Sequence, residues 1–146
     1  MTPSTHDLST PKGRLLELAQ LLRRNAYDPM GVVFNLEHWI RVVDRGSVQP
    51  SLNCGTQACA IGLACLYPPF QELGLSYSLG LALGTPIYRH EGRVYTKWDA
   101  VMRFFKLSYT DATKLFFAWE YSVTSGPSVE LEVAKRIQEY VEYSLE

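Results

Sequence analysis

Residues 53–66 read Asn53-Cys54-Gly55-Thr56-Gln57-Ala58-Cys59-Ala60-Ile61-Gly62-Leu63-Ala64-Cys65-Leu66, and Tyr67-Pro68-Pro69 follows. Cap-competent residues come first, then an unbroken run of small and aliphatic side chains. That order predicts a helix starting near Cys54 or Thr56, with Thr56 as its cap and the two prolines as its stop. Gly55 and Gly62 permit close approach of neighbouring backbone, and Ala58 to Leu66 is built for burial. This helix is therefore expected at the centre of the fold, with Trp39, Phe105, Phe116 and Ile137 packed around it.

Upstream, Pro11 suits the first turn of a helix, where its missing N–H costs nothing. Leu15, Leu18, Ala19 and Leu22 then recur at helical spacing. Asp28-Pro29 and Gly31 end that helix, and residues 1–10 are expected as a flexible tail. Asn35 can cap a second helix through Trp39, Ile40 and Val43, ending at Gly46. Downstream, Ile87-Tyr88 and Val94-Tyr95 flank His90-Glu91-Gly92, the pattern of a short hairpin. A lone hairpin is marginal in water, so it must lean on helices. Trp98, Val101, Met102 and Phe105 share a helical face. Ser108 opens another helix with Ala112, Leu115, Phe116 and Trp119 on its apolar side. Ser128 caps a last helix bearing Val129, Val133, Ile137 and Val141, with Glu130 and Glu132 placed favourably for the helix dipole. The expectation is a mainly α protein. It is a compact bundle of five or six helices with one small β-hairpin, forming a single helical domain over residues 11–146.

The chain has 146 residues, 47% of them hydrophobic, enough for one buried core. Its net charge is −1, and its densest basic cluster is Arg23-Arg24. Duplex binding rests on a basic face, so nucleic acid is not favoured. No run reaches the roughly 18 apolar residues of a membrane span, and no signal-type apolar segment opens the chain. Three clustered cysteines, Cys54, Cys59 and Cys65, make a poor disulfide framework and read as reduced thiols. A cytoplasmic location is expected.

Chemistry concentrates at Cys54. A cysteine at a helix start has its thiolate stabilised by free N–H groups, and the same groups can form an oxyanion hole. Gln49 stands five residues upstream, where a side-chain amide can complete that hole. A thiol nucleophile needs a histidine, and His90 and His38 are the candidates. The bland alternative is favoured: Cys54 is a packing residue at the helix start, and Cys59 and Cys65 behave as small hydrophobes. The cysteine spacings do not match zinc ligands. No metal and no cofactor are expected. Trp39, Tyr88, Tyr95, Trp119 and Tyr140 are the candidate binding residues, since exposed Tyr and Trp mark interaction surfaces.

Locally, the segment around Cys54-Gly-Thr resembles the Asn-x-Cys-Gly-Thr region of ubiquitin C-terminal hydrolases, which are papain-type thiol proteases. That likeness implies a cysteine hydrolase using Cys54, His90 and Gln49. Over residues 14–141 the chain resembles a family of short bacterial and phage proteins of uncharacterised activity. The residues that carry it are Phe34-Asn-Leu36-Glu-His-Trp39, Cys54-Gly-Thr-Gln-Ala-Cys59-Ala-Ile-Gly62-Leu-Ala64, Lys106-Leu107-Ser108-Tyr-Thr-Asp-Ala112-Thr-Lys-Leu115-Phe116 and Val133-Ala-Lys-Arg-Ile137. Leu63 departs from the tryptophan common in that family. The likeness implies a prokaryotic or phage setting. No activity is carried over from it. Small size, the lack of a complete catalytic set, the many aromatics and that setting together lead to the expectation of a non-enzymatic binding protein, a phage or mobile-element modulator of the counter-defence type acting on a host protein or a small-molecule signal. Membrane partners are not expected, and self-association as a homodimer stays open.

Overall fold

The computed structural model describes residues 6–27, 32–36, 39–42, 56–78 and 84–144. Among them it holds six α-helices and two small sheets, so the chain is mainly helical, with more β structure than the single hairpin expected. None of the described helices is long and apolar enough to cross a membrane.

Helix α1 (Pro11–Tyr27) starts at its proline, as the sequence predicts, and buries Leu15, Leu18, Ala19, Leu21 and Leu22. It ends at Tyr27, just ahead of Asp28-Pro29 as expected, and in its last turn Asn25 faces inward: its Nδ2 donates to Glu130 at 2.8 Å. Ahead of α1, residues 6–10 form a turn in which the Gly13 N–H donates to Thr10 Oγ1 at 3.0 Å. The buried Glu17 of α1 accepts from the Tyr67 hydroxyl and lies 2.9 Å from His6 Nδ1. Helix α6 (Pro127–Ser144) lies along α1, buries Val129, Val133, Ile137 and Val141 as predicted, and begins at Pro127. Ser128 is therefore inside the first turn and is not its cap.

Of the segment expected as a second helix, the described residues Ile40–Val42 are a strand instead, and residues 43–46 lie outside the described residues. β1 (Val32–Phe34) pairs parallel with β3 (Thr56–Ala58), and β2 (Ile40–Val42) pairs antiparallel with the other edge of β3. Val32, Val33, Ile40 and Val42 are β-branched and favour extended backbone. Asn35 follows β1 and bridges to Ser125 across the fold, rather than opening a helix. Thr56 is in β3 and cannot be the cap of the central helix. That helix, α2, is Ala60–Leu66, capped by Cys59, whose sulfur accepts from the Gly62 N–H. All seven residues of α2 are buried. It touches α1, β3, β4 and β5, so its central position holds. Gly62 is the close approach: a Cβ there would sit 1.7 Å from the Trp39 carbonyl oxygen. Pro68 does end α2, and then opens the short helix α3 (Pro68–Gln71).

The expected hairpin is present as β5 (Pro86–His90) and β6 (Arg93–Thr96), widened by β4 (Leu75–Tyr77) into a three-stranded antiparallel sheet. Its turn is Glu91-Gly92, both with positive φ, 51° and 77°, so His90 is the last residue of a strand and not part of the turn. Both strands lean on α4 (Lys97–Phe105), which ends in left-handed Lys106. Helix α5 (Tyr109–Phe116) is capped by Ser108, whose hydroxyl accepts from the Asp111 N–H, as predicted. Its helical run breaks at Phe117, which places Trp119 in a following 3-10 turn, Ala118–Glu120. Between sheet and helices sits an aromatic core. Phe70, Phe104 and Phe105 meet edge-to-face at centroid separations of 4.9 to 6.0 Å. Such pairs contribute about 0.5–1.5 kcal/mol each beyond burial.

Candidate functional site

The expected binding residues separate into three places. Trp39 lies in an aromatic cleft of about 420 Å³ lined by Leu36, Trp39, Cys59, Trp98, Phe116, Phe117 and Ala118. The break between β1 and β2 supplies Leu36 and Trp39, the first turn of α4 supplies Trp98, and the end of α5 supplies Phe116 and Phe117. Trp39 and Trp98 meet edge-on with centroids 5.0 Å apart. Phe117 lies 6.1 Å and Tyr109 6.4 Å from the Trp98 ring, and both are exposed, at 40% and 58%. No described lining residue is charged. The cleft falls within the range of ligand pockets, about 300–1,000 Å³. It carries the Trp-rich composition of interaction hot spots.

The sulfur in this cleft is that of Cys59. It accepts from the Gly62 N–H at 3.4 Å, and its thiol points to the Trp39 carbonyl at 3.8 Å. Burial pushes the thiol up to about 11, with partial relief from backbone N–H groups at the α2 start. At neutral pH it is a thiol and not a nucleophilic thiolate. The burial of Cys65 likewise pushes its thiol well up.

Tyr88 and Tyr95 lie elsewhere, in a smaller cavity of about 250 Å³ with Ser9, Pro11, Arg14, His90, Arg103 and Lys106. His90, proposed as a catalytic base, is in this cavity and not in the cleft that holds Cys59. It stacks on Tyr88 and is 3.5 Å from Glu91. Cys54, Gln49 and His38 lie outside the described residues, as does the Trp119 side chain. Tyr140 lines a third depression with Asp111 and Arg136. Its hydroxyl donates to Asp111 Oδ2 at 3.1 Å, tying α6 to α5. Among the described residues no three His, Cys, Asp or Glu side chains converge as a metal site.

Trp98, Phe117 and Leu36 are site residues that sequence reading placed in the core or passed over. Arg103 and Lys106 are three residues apart at the end of α4, but Arg14 is far from them in the chain, and no local pattern joins it to them. The chain matches no protein-family model, no curated protein and no solved structure.

Proposed function

We propose that this protein is a non-catalytic binding protein that seats a planar, uncharged ring between Trp39, Trp98 and Phe117. The observation that carries this reading is the cleft itself: two tryptophans and two phenylalanines around about 420 Å³, with no charged side chain among its described lining residues. Burying a ring there removes apolar surface from water at about 25 cal/mol per Å², and edge-to-face contacts add direction. Cys59, the sulfur among the described residues that line the cleft, is held protonated by burial and is not a nucleophile there. In the bacterial or phage setting that the sequence resemblance implies, the ring belongs to a small-molecule signal or to a side chain of a host protein.

The test is a titration of ¹⁵N-labelled protein with indole, followed through the tryptophan Nε1–H resonances. Saturable movement of the Trp39 and Trp98 signals is expected. Trp98→Ala should abolish it, and Phe117→Ala, at a 40% exposed position, should weaken it without disturbing the fold. Resonances that drift linearly with indole, or move equally in both variants, would overturn the proposal.

A further inference from the structure

The second cavity carries a different chemistry. Arg14 from α1, His90 from β5 and Arg103 and Lys106 from the end of α4 all line it, with Tyr88, Tyr95, Ser9 and Pro11. No carboxylate is among its described lining residues. We propose that this cavity binds a phosphate monoester that carries a planar ring.

The cationic side is built and held. Arg14 donates through Nε to the Leu8 carbonyl and through Nη1 to the Phe104 carbonyl, both at 2.8 Å, and its guanidinium lies 4.4 Å over the Phe104 ring. The backbone and ring thus fix the group without neutralising it. Neither Arg14 nor Lys106 has a carboxylate partner among the described residues. Lys106 takes a left-handed backbone, φ 55°. Arg103 pairs with Asp99 at 3.6 Å, an exposed i,i+4 contact of the kind that yields readily to a stronger anion. Guanidinium and ammonium groups converging on one small space suit a phosphate, which accepts several charge-assisted hydrogen bonds.

The ring side is aromatic. His90 and Tyr88 are nearly parallel, 12° apart with centroids at 5.5 Å. Tyr88 is almost wholly buried, while His90 is 55% exposed, so the pair forms a platform with its histidine outward. Tyr95 lies beside Tyr88 at 6.2 Å, with the Arg103 guanidinium 4.7 Å from its ring. A π-face laid on such a platform is held by stacking and by the adjacent cations. The volume of about 250 Å³ equals roughly eight waters at about 30 Å³ each. That space takes a phosphate and one ring, and leaves the rest of a larger molecule outside.

The experiment is calorimetric titration of the full chain at low salt with phenyl phosphate as the minimal probe, then with AMP and with blocked phosphotyrosine. The last two share the chemistry, and the tighter one identifies the source. The test variant is Arg103→Gln with Lys106→Asn. Both positions are exposed, and asparagine accepts a left-handed backbone. The control is Lys135→Gln, which removes one charge on α6 away from the cavity. Phenyl phosphate is expected to bind more tightly than inorganic phosphate. The double variant should weaken that binding about tenfold or more, and the control should not. The proposal is overturned if no phosphate ester binds, if inorganic phosphate binds as well as phenyl phosphate, or if the double variant and the control lose affinity alike.

Discussion

Glu130 gives the sharpest prediction. Its side chain is 2% exposed, in the first turn of α6 against α1, and it accepts from Asn25 Nδ2 at 2.8 Å. Burial raises its carboxyl from the ordinary 4.5 to about 7, and the Asn25 hydrogen bond offsets only part of that rise. The positive end of α6 also favours the carboxylate, but a helix terminus contributes only about 0.3–1 kcal/mol in most settings. The folded state therefore holds this proton more tightly than the unfolded chain does. The resulting stabilisation is fully present below about pH 4.5 and is lost as the pH rises through about 7. At about 1.4 kcal/mol per decade of proton affinity, the gap corresponds to about 3 kcal/mol. Glu130→Gln keeps an acceptor for Asn25 and removes the titration. Urea unfolding of both proteins should show wild type losing about 3 kcal/mol relative to the variant between about pH 4.5 and 7.5. A stability difference that is flat across this range, or that grows in favour of wild type, would refute the reasoning. Either result would mean that the carboxyl is solvated or paired in the folded protein.

Two further outcomes follow from the centre of the fold. Gly62→Ala should destabilise the protein by more than about 2 kcal/mol in thermal or urea unfolding, because the new methyl would meet the Trp39 carbonyl at 1.7 Å and backbone must move. A loss below about 0.5 kcal/mol would show that β2 does not lie where described. Cys59 should resist iodoacetamide at neutral pH in the folded state, since burial holds its thiol near 11, and should label on unfolding. Mass spectrometry of the peptide containing Cys59 reads this, and rapid labelling of native protein would contradict it.

Much of the fold is legible in local chemistry. Pro11, the leucine spacing of α1, the Ser108 cap and the valine face of α6 are signals within a few residues, and each helix they mark is present. The hairpin is legible for the same reason: Glu91-Gly92 lies between two β-branched or aromatic pairs. What the chain's order could not disclose is pairing. Val32-Val33-Phe34 and Ile40-Arg41-Val42 become strands because Thr56-Gln57-Ala58 inserts between them, and a strand's stability comes from a partner far along the chain. Displacing Thr56 into that sheet moves the start of the central helix to Cys59. Sites follow the same division. Aromatic and basic residues are visible as types, but the cleft of Trp39, Trp98 and Phe117 and the cavity of Arg14, His90 and Lys106 each join distant segments. The burial that keeps Cys59 a thiol and raises Glu130 is likewise a property of packing. Desolvation depends on which surfaces close over a group, and the tertiary structure alone decides that.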